Sequence, residues 1–177
     1  PAMSKACYSV AGAAQQSEAI YYNHNTLTLL ECSSLQEGRA SVAVFRAIGN
    51  SRGIIVNFNV YGHAGNTAQD RQGMANLFHL LGTAINQYKT LFPGAQIICA
   101  GDWNCNFFDE RADKTKQLRE FVAENALFES TLTIGATWRG SRGTGGGFSS
   151  SKLDHIFMSA PFEHRAYSIP NPTSDHQ

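Results

Sequence analysis

Apolar and polar residues along this chain follow two periods, and stretches of one period alternate with stretches of the other. Residues 40–45 read Ala-Ser-Val-Ala-Val-Phe and residues 53–61 read Gly-Ile-Ile-Val-Asn-Phe-Asn-Val-Tyr. Both runs predict strands. Between residues 67 and 93 the period lengthens. Met74, Leu77, Phe78, Leu81, Ile85 and Tyr88 fall at helical spacing. Thr67 is the predicted N-cap, Asp70 completes a capping box three residues later, and Pro93-Gly94 ends the helix. Residues 96–100, Gln-Ile-Ile-Cys-Ala, predict a buried strand. A second helix is expected over 113–125, with Leu118, Phe121 and Val122 on one face. Upstream, residues 19–22 and 26–30 predict a hairpin turning at Asn23-His24-Asn25. Residues 1–17 read as an irregular lead-in. Downstream, 131–138 is strand-like, 139–151 is rich in Gly and Ser, and 153–158 is a short apolar strand. The mixture of strands and helices predicts an α/β domain.

Composition narrows this only slightly. A chain of 177 residues, 42% hydrophobic, fits one domain with a real core, and no internal repeat or linker divides it. Fourteen basic and 14 acidic residues give zero net charge. Bulk charge therefore does not announce a nucleic-acid binder, nor does it exclude one, because a metal ion and a local patch can neutralise phosphates. No apolar run approaches the ~18 residues of a membrane span, and no signal-peptide pattern is present, so no membrane partner is expected. Cys7, Cys32, Cys99 and Cys105 form no Cys-x-x-Cys pair and no zinc spacing. Cys32 and Cys99 sit in apolar runs and read as small core residues, which favours a reducing, intracellular compartment. The chain begins at Pro1 rather than Met and is expected to be a piece of a longer protein.

The candidate chemistry centres on Ala100-Gly101-Asp102-Trp103-Asn104, where an apolar strand stops at a glycine and delivers a carboxylate and a carboxamide. Asp102 is suited to hold or deprotonate a water, and Asn104 to orient that water or a phosphate oxygen. Alone, Gly-Asp after a strand is more often a turn than a site. Here it has company: Tyr61 ends one predicted strand, Asp154 interrupts another, and Asp175-His176 follows Pro170-Asn171-Pro172-Thr173-Ser174 near the end of the chain. Strand ends are where α/β sheets collect their sites. A carboxylate inside an apolar strand, such as Asp154, also requires a partner. Tyr61 taken by itself would read as an ordinary interface tyrosine. His63, His79 and His164 read as structural or solvated. His155 neighbours Asp154, so it points to the opposite face of the sheet and is left as structural.

Taken together, Gly38-Arg39, Asn59-Val60-Tyr61, Gly101-Asp102-Trp103-Asn104, Thr137-Trp138, Ser151-Lys152-Leu153-Asp154-His155-Ile156 and Ser174-Asp175-His176 resemble the endonuclease/exonuclease/phosphatase superfamily. The form most resembled is the apurinic-type endonuclease domain of non-LTR retrotransposons. The resemblance implies a four-layered α/β sandwich, two packed β-sheets flanked by helices, here truncated at both ends, with residues 1–177 as a single partial domain. It implies a magnesium-dependent phosphodiesterase, with manganese as a substitute ion. Its activity would be a DNA endonuclease nicking one strand to leave 3′-hydroxyl and 5′-phosphate ends. In a retroelement, that nick would prime reverse transcription by an RNA-directed DNA polymerase, in the nucleus.

The roles implied are these. Asp102 activates the attacking water, and Asn104 holds it and the phosphate. His176 contacts the scissile phosphate, and Asp154 fixes the His176 tautomer. Asp175 helps hold the metal. Tyr61 donates its hydroxyl to the developing charge. Arg139, Arg142 and Lys152, in and beside the Gly-rich stretch, are candidate DNA-phosphate contacts, because the resemblance places a DNA-probing hairpin there. The other reading of that stretch is a mobile surface loop.

Two features of the family are missing. The strand bearing an Asn and the following Gln-Glu, whose Glu is a principal magnesium ligand, should precede residue 1. Gln36-Glu37 lies too close to Tyr61 to replace them. His63 and Ala64 stand where the family commonly has Pro and Asn. The piece is therefore expected to bind magnesium poorly. A phosphatase or ribonuclease of the same fold, and a non-catalytic remnant, are the alternatives.

Overall fold

A computed structural model describes residues 4–8, 19–49, 53–109, 112–130, 135–142 and 147–159. Strands β3 (Leu27–Gln36), β4 (Ala40–Ala47), β5 (Ile54–Tyr61), β6 (Gln96–Asp102), β7 (Phe128–Glu129) and β10 (Asp154–Met158) build a six-stranded sheet in the order β3-β4-β5-β6-β10-β7. Every neighbouring pair is antiparallel except β5 and β6. Those two run parallel because helix α1 (Ala68–Leu91) connects them, and a parallel pair needs such a crossover. Helix α2 (Asp113–Glu124) follows β6. Two short antiparallel ribbons complete the described chain: β1 (Ser4–Tyr8) with β2 (Ala19–Tyr22), and β8 (Trp138–Arg142) with β9 (Gly147–Ser151).

Strand alternation sorts the core. Ala40, Val42 and Val44 of β4, Val56, Phe58 and Val60 of β5, and Ile97 and Cys99 of β6 bury one face of the sheet against Met74, Leu77, Leu81 and Ile85 of α1 and Leu118 and Phe121 of α2. The intervening residues Ala43 and Phe45 turn to the other face and pack with Ile20 of the β1–β2 ribbon. The rings of Tyr22 and Phe45 lie 5.1 Å apart there. The α/β class is as expected. Among the described residues the layers are helices, sheet and ribbon, with the ribbon standing where a second sheet was expected. No helix among them is long and apolar enough to cross a membrane.

The α1 reading holds in detail: Thr67 and Asp70 exchange both bonds of the capping box. The hairpin over 19–30 does not hold. The turn exists, with Thr26 and Leu27 N–H both donating to the Asn23 carbonyl at 3.0 Å, but the two strands enter different sheets. β2 pairs with β1, inside the stretch expected to be irregular, and β3 pairs with β4. β3 runs six residues past the expected end because it is an edge strand whose polar half, Glu31 to Gln36, needs only one paired neighbour and leaves no apolar alternation to read. Of the strand expected over 131–138, only Trp138 lies in a strand, and 131–134 lie outside the described residues. The described parts of the Gly/Ser-rich stretch pair as the antiparallel strands β8 and β9.

The cysteine reading also changes. Cys99 and Cys105 are buried free thiols, and desolvation raises the pKa of both. Cys32, expected as a small core residue, packs partly buried against Ile20, Ala43 and Phe45 and is disulfide-bonded.

Candidate active site

The register of three strand pairs lines up the residues singled out by sequence. Tyr61 is the cross-strand partner of Asp102, and Asp102 is the partner of Asp154. Val60, Gly101 and His155 are the row behind them and face the helices, so Tyr61, Asp102 and Asp154 share the opposite face at one rim of the sheet. Tyr61 is 39% exposed, and both carboxylates are half-buried.

Local geometry explains why this sequence makes such a rim. At Gly101 the backbone takes a φ of +146°, and an added Cβ would lie 2.0 Å from the Val60 carbonyl oxygen. Only glycine lets β6 pass this close to β5. The chain then turns. Asn104 sits at φ +47°, a left-handed conformation that Asn tolerates better than most residues. Its N–H donates to Asp102 Oδ1 at 2.8 Å, closing an Asx-type turn. Its Nδ2 donates to the Gly62 carbonyl at 3.0 Å and lies 3.3 Å from Asp102 Oδ2. Gly62 N–H returns a bond to the Asp102 carbonyl at 2.7 Å. A Cβ at Gly62 would meet the Trp103 carbonyl oxygen at 2.2 Å, so this crossing also admits only glycine.

Trp103 drives the turn from below. It is fully buried, its N–H donates to the Leu153 carbonyl at 2.9 Å, and its indole N–H donates to the His155 carbonyl at 3.1 Å. Thr137 fixes the other side. Its hydroxyl oxygen accepts from the N–H groups of Leu153 and Asp154, both at 3.0 Å. The sequence marked Thr137 as part of a motif without giving it a role; this double acceptance, which seats the start of β10, is its contribution.

His155 is 1% exposed on the helix side. Its Nδ1 faces Glu129 Oε1 at 3.1 Å, and its Nε2 faces the Cys105 and Lys152 carbonyls, each at 3.1 Å. Lys152, expected to contact DNA, is placed elsewhere. It is 7% exposed, its Nζ lies 3.5 Å from Glu129 Oε1, and it sits over the Phe108 ring. A buried ammonium must be paired, and this one is held inside the fold with Glu129. Arg139 and Arg142 lie on β8, with Arg139 opposite Ser150 and Arg142 opposite Gly147; their side chains are outside the described ones. Asp175, His176 and His164 also lie outside the described residues, and with them the expected Asp154–His176 pair.

Among the described residues no group of three or more metal-ligating side chains forms. Asp102 and Asp154 offer oxygen donors only, on adjacent rungs, which suits a hard cation such as magnesium. Asp175 was the further donor read from the sequence.

The sequence left His63 as structural or solvated, and its ring rests against α1, where a Cβ on Gly73 would approach it to 2.8 Å. Its pKa is lowered from the ordinary 6.5 by burial first, then by the positive charges of Arg39 and Lys114. The sign follows from linkage. A group whose native pKa is depressed contributes stability that is fully present above about pH 6.5 and is lost as the pH falls through the native value. Melting temperature should therefore fall between pH 7 and pH 5, and His63→Gln should make that fall smaller. An equal fall in both proteins would remove His63 as a contributor.

No protein-family pattern and no curated protein sequence matches the chain. Solved structures do. An endonuclease/exonuclease/phosphatase family protein from Bacteroides thetaiotaomicron matches 89% of this chain and 59% of its own, with a TM-score of 0.59 and 16% identity. The endonuclease domain of TRAS1, a telomere-specific non-LTR retrotransposon, matches 88% and 65%, with a TM-score of 0.58 and 14% identity. TDP2 from D. rerio, solved with a single-strand DNA product, matches 90% and 64%, with a TM-score of 0.55 and 17% identity. The chain thus spans less than two thirds of each of these structures. With β5 and β6 parallel around α1 and the polar residues gathered at their C-terminal ends, it has the endonuclease/exonuclease/phosphatase fold.

Proposed function

We propose that this chain is a metal-dependent phosphodiesterase acting on DNA, nicking one strand to leave 3′-hydroxyl and 5′-phosphate ends. The observation that carries the reading is the single rim on which Tyr61, Asp102, Asn104 and Asp154 converge from three strands and one turn. The TRAS1 endonuclease domain and the DNA-bound TDP2, both sharing the fold, support a nucleic-acid substrate, and TRAS1 supports a retroelement setting.

In this reading Asp102 takes a proton from a water as the water oxygen attacks phosphorus. The bond from phosphorus to the 3′ oxygen breaks, and that oxygen takes a proton from solvent water as it leaves. Asn104 holds the water through its amide oxygen, and its Nδ2 reaches one phosphate oxygen by releasing Asp102 Oδ2, the longer of its two bonds. Tyr61 donates its hydroxyl to the charge growing on another. His176, with its tautomer set by Asp154, contacts the same phosphate. Asp175, with Asp154, would hold magnesium, which would supply charge neutralisation at the phosphate. Arg139 and Arg142 on β8 would meet flanking phosphates.

The test is a panel of supercoiled plasmid, end-labelled DNA, RNA and inositol phosphate, each with magnesium and with chelator. Weak nicking of plasmid with 3′-hydroxyl products, dependent on high magnesium, is the expected result. Release of phosphate from inositol phosphate without nicking would move the chain to the phosphatases, and RNA cleavage without nicking would move it to the ribonucleases.

A further inference from the structure

The polar row at the rim has a fourth member. Tyr61 N–H donates to the Arg39 carbonyl at 2.8 Å, one rung beyond the Ala40–Val60 pair. Arg39, Tyr61, Asp102 and Asp154 therefore occupy consecutive positions across four neighbouring strand ends, a row of roughly 14 Å at the usual strand spacing. Along it the charge runs from cation through phenol to two carboxylates.

Arg39 is held in place at the cationic end. Its Nη1 donates to the Gly62 carbonyl at 2.9 Å, the same oxygen that receives Asn104 Nδ2. Its guanidinium carbon lies 4.9 Å from the centroid of the Tyr61 ring. Both anchors are electrically neutral, and among the described residues no carboxylate pairs with Arg39. A guanidinium carries five N–H donors, and the Gly62 bond uses one. A half-buried arginine fixed by a carbonyl and a ring, with its charge unmatched and its fork at the edge of a polar rim, has the features of an anion site. Arg39 is itself only partly buried and Tyr61 beside it is 39% exposed, so a ligand that approaches the Tyr61 hydroxyl comes near the guanidinium.

We propose that Arg39 binds a non-bridging oxygen of the phosphate that Tyr61 and Asn104 also contact, and so fixes the direction in which a phosphodiester lies across the rim. The phosphate sits toward the Arg39–Tyr61 end, while the attacking water and the cation sit toward Asp102 and Asp154. The opposite orientation would set the phosphate against two carboxylates and leave the arginine without an anion. Lys114 plays no part in this, since it is 4% exposed and its ammonium donates to the His63 carbonyl.

This assignment rests on the phosphodiesterase reading for the identity of the ligand. Its test uses Arg39→Gln, which retains a donor for the Gly62 carbonyl without the charge, and Arg39→Lys, which retains the charge without the fork. The probe is a short single-stranded DNA oligonucleotide. Binding is measured in chelator across a salt series, and cleavage is measured in magnesium. Arg39→Gln should flatten the slope of log affinity against log salt by about 0.7, the value for one phosphate contact on a single strand. It should also lower kcat/KM about 10- to 100-fold, with the melting temperature held. Arg39→Lys should restore the salt slope and only part of kcat/KM.

If the wild type cleaves and Arg39→Gln matches it in kcat/KM and salt slope, the assignment falls and the phosphodiesterase reading stands. If the slope changes as expected while no variant, nor the wild type, cleaves, the assignment stands and the hydrolytic reading falls. A wild type that neither binds nor cleaves the oligonucleotide overturns both.

Discussion

Asp102→Asn is expected to lower phosphodiester cleavage about 10²- to 10⁴-fold, the range for losing a general base, while leaving the fold intact. The two halves of that expectation come from different atoms. Asp102 Oδ1 accepts the Asn104 N–H at 2.8 Å, and the carbonyl of an asparagine can do the same; the longer contact from Asn104 Nδ2 is lost, but that group keeps the Gly62 carbonyl, so the turn survives. What is lost is the ability to take a proton. Asp102 also stands directly across the ladder from Asp154, and like charges in that relation oppose folding by roughly 0.2–1 kcal/mol. Removing one of them without metal should therefore leave the unfolding midpoint unchanged or slightly raised. Asp102→Ala should be as inactive, and should in addition loosen Asn104 from its left-handed turn. A variant at residue 102 that keeps more than a tenth of wild-type turnover would exclude Asp102 as the base. A wild type with no magnesium-dependent activity to lose would identify the chain as a remnant that binds without cutting.

The largest effect on stability is expected at the residue between the two catalytic candidates. Trp103→Ala should cost about 3–5 kcal/mol, the range for deleting a large buried aromatic. Trp103 is fully buried, with ring centroids of Phe157, Phe121 and Phe78 at 5.1, 5.9 and 6.3 Å. The Phe157 ring meets it edge-on, a favoured aromatic geometry. Against a total of about 5–15 kcal/mol for a domain, this loss leaves a marginal protein, readable as a lowered urea midpoint. Activity should fall further than the folded fraction, because the same backbone carries Asp102 and Asn104. Trp103→Phe refills much of the volume but removes the indole N–H from the His155 carbonyl. Losing that bond should cost about 1–3 kcal/mol. A Trp103→Ala midpoint within about 1 kcal/mol of wild type would mean that the aromatic cluster does not support the turn.

Local signals were legible wherever a residue's neighbours in sequence are also its neighbours in space. The α1 cap is such a case, with Thr67 and Asp70 three residues apart and bonded to each other. The strand–glycine–Asp–x–Asn stretch is another, because Gly101, Asp102 and Asn104 shape the turn among themselves. The placement of His155 on the face opposite Asp154 followed from the strand period alone. Readings failed where the partner lies far along the chain. β2 was matched to β3 by proximity across a good turn signal, but β3 pairs along its whole length with β4, and β2 with β1. Lys152 read as a surface cation beside a Gly-rich stretch, and nothing in its flanking residues announced Glu129, far upstream, as its buried partner.

The sequence by itself determined the local elements of this protein: its strand and helix periods, the cap of α1, and which polar residues end apolar runs. Tertiary structure alone decided which of those ends share a rim, that Arg39 joins Tyr61, Asp102 and Asp154 in one row, and that Lys152 is withdrawn from the surface. The reason is physical. Periodicity records which side of an element is buried, whereas register between distant strands is set by packing two faces of a sheet at once, and no short stretch of chain contains that information.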